Sequence, residues 1–321
     1  MNSINKKCTV LENLTETTNY FKYIPKSKLD GNFKNFFMMK WFIENFLSDK
    51  TGNFLVIGFS PGITTFLCGL EYPDVIFHVF DPQNYFKNLD NLYNVIIHKR
   101  LFTKDDALTY SKMKDLIVYS DLRTSYGYTN LNEDIDNQQE LVSLINADYS
   151  MLKYKLSEYN KFIPAGYKII QPFSKHTFEV RIIQKRDNYN DLILNDTNFS
   201  NWLKRKLNQY NILRLNDETI DIKIIQKMFG WTYRTAEYST KMYEYGIKYL
   251  YFLFRTNDPF SIIFDPNSTF SRDCKSPFKS KNEKELNSNN SNSSLKRKNE
   301  EELIYDNIKI SKIDNEPVLK L

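Results

Sequence analysis

Cysteine and histidine are scarce in this chain of 321 residues, three of each. Cys8, Cys68 and Cys274 lie far apart with no paired spacing, which excludes a disulfide framework and suits a reducing compartment. His78, His98 and His176 share no ligand spacing with one another or with cysteine, so no metal is expected. The N-terminal stretch MNSINKKCTVLENLTETTNY lacks the apolar core of a signal peptide. No run is long enough to span a bilayer: YLYFLF at 249–254 falls far short of the roughly 20 residues required. A soluble intracellular protein without a membrane partner is expected. Strong charge of one sign is lacking too. A net charge of +5 is compatible with nucleic acid but too mild to argue for it.

What the chain does have is apolar and aromatic material, 41% and 15%, enough for a real core in one large domain or two small ones. The first thirty residues read as an irregular arm. FKNFFMMKWFIENFLSD (33–49) places apolar residues at 36, 39, 43 and 46, the helical interval. NFLVIGF (53–59), DVIFHVFD (74–81), NVIIHKR (94–100) and DLIVYSD (115–121) are short and apolar and stop at turn residues, as buried parallel strands do. A helix is predicted over 62–70 and another over 138–160, followed by two strands, GYKIIQPF (166–173) and TFEVRIIQ (177–184), close enough to form a hairpin. Strands alternating with helices and ending in an antiparallel pair predict an α/β sheet with one reversed edge. FSNWLKRKLNQY and MYEYGIKYLYFLFR are helix candidates. The folded domain is expected over 31–265. From 270 to 321 the Asn/Ser/Lys-rich composition predicts a largely disordered tail, in which LIYDNIKISKI is either a short docking segment or a frayed end.

The stretch GNFLVIGFSPGITTFLCGL (52–70) hands a strand to a helix through Gly58, Pro61 and Gly62. Such a turn lets a ligand approach the backbone and leaves helix N–H groups facing it, although plain turns use the same residues. Asp81, at the end of the next strand, is placed to accept the ribose hydroxyls of an adenosine. The loop lacks the G-x-G-x-x-G fingerprint, which disfavours a pyrophosphate-bearing cofactor and favours S-adenosylmethionine.

Four charged residues stand in apolar surroundings. Lys40 lies within FFMMKWFI, where it either serves chemistry or pairs with Glu44 one turn on. Asp121 follows DLIVYS at the carboxyl end of a buried strand, where open α/β sheets bind ligands and where Asp also caps turns. Lys153 lies in DYSMLKYKLSEYN, read as a polar helix. Glu179 and Arg181 share one face of TFEVRII, as a cross-strand ion pair would require.

Read in order, FFMMKWFIENFL, FLVIGFSPGITT, VFDPQNY, HKRLFTKDD, SDLRTSYGY, MLKYKL, KIIQPFSKHTFEVRII and YEYGIKYLYFLFRT resemble one family. It is the poxvirus cap-specific mRNA nucleoside-2′-O-methyltransferase, which is also the small regulatory, or processivity, subunit of poly(A) polymerase. The resemblance implies a Rossmann-like class I methyltransferase fold, a mostly parallel sheet with an antiparallel edge strand. It also implies S-adenosylmethionine as methyl donor, S-adenosylhomocysteine as product, and no metal. The family's Lys-Asp-Lys-Glu tetrad falls on Lys40, Asp121, Lys153 and Glu179. Its cofactor motif falls on Gly58, Pro61, Gly62 and Asp81, with Arg100 and Phe102 on the adenine side. Lys153 is the implied base for the ribose 2′-hydroxyl.

Two departures bear on cap recognition. The stretch between Lys153 and Q-P-F is shorter than in the poxvirus proteins and lacks their Pro-Phe-Pro-Asp segment, and Ser200 stands near the place of an acidic partner for the methylated base. Tyr20, Tyr23, Tyr154 and Tyr159 are therefore candidates for stacking on the cap, and Lys204, Arg205 and Lys206 for RNA phosphates. The expected partners are capped mRNA and either a poly(A) polymerase catalytic subunit or a capping enzyme. The expected location is the host cytoplasm or a virion. Two alternatives stay open: a non-catalytic RNA-binding processivity subunit, or a methyltransferase for a non-cap RNA ribose.

Overall fold

The computed structural model describes residues 26–122, 131–155, 162–174, 179–189, 191–194, 197–217, 219–256, 309–313 and 316–320. Among them the first element is helix α1 (Lys26–Phe46). Then come β1 (Gly52–Ile57), α2 (Ile63–Glu71), β2 (Val75–Phe80), β3 (Val95–His98), α3 (Lys104–Tyr110) and β4 (Leu116–Ser120). They are followed by α4 (Leu131–Ile145), β5 (Tyr149–Lys155), β6 (Phe162–Pro164), β7 (Tyr167–Ile170), β8 (Glu179–Lys185) and β9 (Leu192–Leu194). Three helices, α5 (Thr197–Asn216), α6 (Thr219–Phe229) and α7 (Tyr233–Thr256), precede a hairpin of β10 (Lys309–Ile313) and β11 (Glu316–Lys320).

Seven strands form one sheet in the order β3-β2-β1-β4-β5-β8-β7, while β6 pairs with β9 separately. Strands β1 to β5 are parallel; β8 runs antiparallel to β5 and to β7, so the reversed strand sits one place in from the edge. This is the α/β sheet that the strand pattern predicts, with the Rossmann-like architecture that the family resemblance implies.

The apolar runs are explained by burial on both faces. In β1, Phe54 and Val56 enter a core shared with α1, α2, α6 and α7, while Leu55 and Ile57 enter another with α3 and α4. The same alternation sorts the ends of the strands. Ile117 and Tyr119 of β4, Met151 of β5 and Ile183 of β8 all face the α1 side. Asp121, Lys153, Arg181 and Glu179 continue those same alternations, so four charges are delivered to the face that α1 covers. Among the described residues no helix is long and apolar enough to cross a membrane.

Three expectations need correction. The helix predicted over 138–160 is two elements: α4 ends at Ile145, and Tyr149–Lys155 is strand β5. Asn146 adopts φ 53°, a left-handed conformation that Asn tolerates and that stops a helix. The irregular arm of thirty residues is shortened by α1, which begins at Lys26; residues 1–25 lie outside the described residues. In the tail, β10 and β11 form an antiparallel pair within the stretch expected to be largely disordered, while 257–308 lie outside the described residues.

Candidate active site

Helix α1 is apolar almost all round, with Phe33, Phe36, Phe37, Met38, Met39, Trp41, Phe42 and Ile43 buried. Two lysines are buried with them, Lys34 and Lys40. They stand six positions apart, about 9 Å along the axis and about 120° around it, so one site cannot receive both. The site at the strand ends receives Lys34. Its Nζ donates to Glu179 Oε1 at 2.7 Å. Lys153 donates to Asp121 Oδ1 at 2.7 Å and lies 3.8 Å from Glu179 Oε2. In the β5–β8 register, Lys153 stands opposite Arg181.

Arg181 is fully buried and completes the cluster. Its guanidinium donates to Asp121 Oδ1 at 2.9 Å, to Gln171 Oε1 at 2.9 Å, to the Ser120 carbonyl at 2.8 Å and to Asn35 Oδ1 at 3.0 Å. It also lies 4.6 Å over the Tyr119 ring. Asn35 donates to Asp121 Oδ2 at 3.3 Å, and Gln171 Nε2 donates to Glu179 Oε1 at 3.1 Å.

Three cations thus meet two carboxylates, an excess of one positive charge in a buried place. Burial works against the Lys34 ammonium, Glu179 opposes that effect, and the charges of Lys153 and Arg181 add to it; its proton is held less tightly than in an ordinary lysine. Burial also works against the Asp121 carboxylate, but Lys153, Arg181 and Lys34 outweigh it and hold the group well below the usual carboxylate range. Glu179 is likewise held low against burial, to about 2, by Lys34, Lys153 and Arg181.

Lys40 does not join this group, which corrects the sequence-based assignment. It pairs with Glu44 at 2.9 Å, with Glu71 of α2, and with the Tyr72 hydroxyl at 3.0 Å. The rings of Tyr72, Phe229 and Trp231 lie 5.3, 5.7 and 5.7 Å from its Nζ. Burial works against its charge, but Glu71 and Glu44 prevail and raise its pKa. Lys40 is therefore the ion-pair alternative, a tie between α1, α2 and the α6–α7 corner.

The loop between β1 and α2 abuts the cluster. Gly58 has φ 81°, and a Cβ there would lie 2.9 Å from the Asp121 carbonyl oxygen. Asp121 N donates in turn to the Ile57 carbonyl at 2.8 Å. Gly62, also at φ 81°, is the N-cap of α2 and offers no side-chain cap, so the first-turn amides have no acceptor from that residue. Pro61 follows a cis peptide bond, and its carbonyl accepts from Phe86 N at 2.8 Å. Asp81 accepts from Ser60 N at 3.0 Å and Gln83 N at 2.8 Å, tying the loop to the turn after β2. A carboxylate has about four acceptor sites, so these bonds leave it capacity for hydroxyl donors.

Arg100 is committed to a bidentate pair with Asp106 at 2.6 Å, its guanidinium 5.1 Å over Phe80. Phe102 is buried edge-on against Phe80 at 4.8 Å, and His98 stacks on the Phe80 ring at 4.1 Å. An apolar aromatic wall therefore stands beyond the ends of β2 and β3.

The cap candidates fare differently. Tyr154 is 1% exposed, packed with Ile135, Val180, Ile182 and Leu207, and has no face to offer a base. It is withdrawn as a cap residue, because β5 is interior to the sheet and turns this side chain into the core. Tyr20, Tyr23 and Tyr159 lie outside the described residues. On α5, Arg205 is exposed and Lys204 partly so; for Lys206 only the backbone is described.

Sequence reasoning missed Lys34, Asn35 and Gln171 as members of the cluster. The available signal was the Q-P-F motif for Gln171 and the charged-polar pair Lys34-Asn35 interrupting an apolar helix. No curated protein matches the chain. A family model described as Poly A polymerase regulatory subunit matches residues 4–267, most of its length. With the sheet order and the family motifs in place, the chain belongs to the poly A polymerase regulatory subunit family.

Proposed function

We propose that the protein is an S-adenosylmethionine-dependent RNA 2′-O-methyltransferase acting on the first transcribed nucleotide of capped mRNA. The observation that carries this reading is the buried cluster of Lys34, Asp121, Lys153, Glu179 and Arg181 in contact with the β1–α2 loop. It lies at the carboxyl ends of β4 and β5, where open α/β sheets bind ligands.

The residues present fit the cofactor. Asp81 would receive the ribose hydroxyls, the uncapped start of α2 would face the amino-acid end, and Phe80 with Phe102 would border the base. When bound, S-adenosylmethionine supplies an electrophilic methyl group and needs no metal to do so.

The work left to the protein is to orient a ribose hydroxyl and remove its proton. Lys153 is the amine suited to this, because its partner Asp121 adjoins the loop at Gly58. The reaction requires Lys153 Nζ as the free amine, which takes the 2′-hydroxyl proton as that oxygen gains the methyl group. Lys34 keeps Glu179 occupied, and Arg181 with Asn35 fixes Asp121.

Family membership favours a second role that is compatible with the first: holding RNA for a poly(A) polymerase catalytic subunit. The test is transfer of labelled methyl to RNAs that are capped, uncapped, or capped with a 2′-O-methyl already on the first nucleotide. Label on the capped RNA alone, lost in Lys153→Ala with cofactor binding retained, is the expected result. No label on any RNA and no cofactor binding would leave the RNA-holding role in its place.

A further inference from the structure

The turn at Gln171–Phe173 is held by the C-terminal helices, through an ion pair that the methyl-transfer reading does not use. Arg214 of α5 and Asp221 of α6 are both buried and pair at 2.7 Å. The Arg214 guanidinium donates to the Gln171 carbonyl at 2.5 Å and to Asn211 Oδ1 at 3.2 Å. Asp221 Oδ1 accepts from the Phe173 amide at 2.9 Å. Phe173 has φ 58°, a left-handed conformation costly for a side chain of that size, so its amide is held by an outside partner.

From the other side, the same turn grips the charged cluster. The Gln171 side chain donates to Glu179 Oε1 and accepts from Arg181 Nε, while the Phe173 ring lies 4.2 Å from Phe33, the neighbour of Lys34. Both main-chain anchors of the turn come from α5 and α6, and both grips of the Gln171 side chain go to members of the charged cluster.

We propose that Gln171, Arg214 and Asp221 are positioning residues of the active site, through which the α5–α6 helices set where Glu179 stands between the two lysines. The proposal rests on the methyl-transfer reading for its consequence in turnover and on the hydrogen-bond chain for its geometry. Arg214 and Asp221 touch no member of the tetrad; they act through the Gln171 turn. A purely structural ion pair would contribute to stability and leave the chemistry alone.

The experiment uses the full chain carrying Arg214→Met together with Asp221→Leu. Removing both partners leaves no orphaned buried charge. Two quantities are read: kcat for methyl transfer, with cofactor Kd measured separately, and the titration of Lys34 by NMR of its ε-carbon. If Glu179 retreats, kcat falls roughly tenfold to a hundredfold with cofactor Kd unchanged. The Lys34 midpoint then moves down, because the carboxylate that supports its proton has withdrawn. A folded double variant with the kcat and Lys34 midpoint of the wild type would overturn the proposal. Should the double variant not fold, Gln171→Leu, which leaves the ion pair intact, decides on the same two readouts. If the wild type transfers no methyl at all, the enzymatic reading fails alone, and the Lys34 midpoint still decides whether the helices position Glu179.

Discussion

Replacing each buried lysine of α1 by methionine separates their two roles. In Lys34→Met the cluster keeps Lys153 and Arg181 against Asp121 and Glu179, so charge is balanced. Glu179 also retains Gln171 Nε2 at 3.1 Å and Lys153 at 3.8 Å. The loss of stability is then that of a charged hydrogen bond, about 1.5–3 kcal/mol. In Lys40→Met, Glu44 and Glu71 lose their shared cation and keep, among the described residues, the hydroxyls of Tyr72 and Tyr243. Breaking a buried pair on one side costs about 3–5 kcal/mol; both carboxylates are about one-fifth exposed, so roughly 2–4 kcal/mol is expected. Activity should fall in the opposite order. Lys34→Met should lose on the order of a hundredfold or more in methyl transfer, while Lys40→Met, assayed where it is folded, should keep most of it. Urea denaturation and labelled-methyl transfer on both variants measure the two orders. A folded Lys40→Met without activity beside a fully active Lys34→Met would refute the placement of Lys34 at the site.

Acid should unfold the protein through the cluster: Asp121 and Glu179 are depressed from ordinary values of 3.8 and 4.5, so the unfolded chain binds more protons below those values. Their stabilisation is present above about pH 4.5 and is lost as pH falls, that of Glu179 toward 2 and that of Asp121 at lower pH still. Glu179→Gln should flatten this part of the stability profile, measured by urea midpoints across pH; an unchanged slope would contradict the pairing. Gly58→Ala should cost at least about 2 kcal/mol, because a left-handed alanine is strained and its methyl would press the Asp121 carbonyl. Gly31→Ala is the contrast: its Cβ meets nothing within 4 Å on helix α1, so it should gain about 0.5–1 kcal/mol in the same assay.

Asp121 and Glu179 were legible as charges that must be partnered or exposed, because Asp121 follows an apolar strand and Glu179 lies within one; the family motifs, not these surroundings, marked them as chemistry-bearing. The β1–α2 loop was legible for a related reason, since two glycines between a buried strand and a helix mark a close approach. Here that approach is of Gly58 to the Asp121 carbonyl. Lys153 was found by motif while its element was misread, because MLKYK fits helix and strand periods alike over so short a run. The pairing with β4 and β8 decided it.

By itself, then, the sequence determined the alternation of strands and helices and the antiparallel pair in the sheet, which follow from local periodicity; it marked Asp121 and Glu179 as charges beside apolar neighbours, and the family motifs gave them a role. Only the tertiary structure decided between Lys34 and Lys40. A helix buried on nearly every side carries no amphipathic phase, so nothing local says which lysine faces the strand ends. That choice depends on how α1 is rotated against the sheet, and its rotation is set by contacts from chain segments far away: Glu71, Phe173, Trp231 and Tyr243.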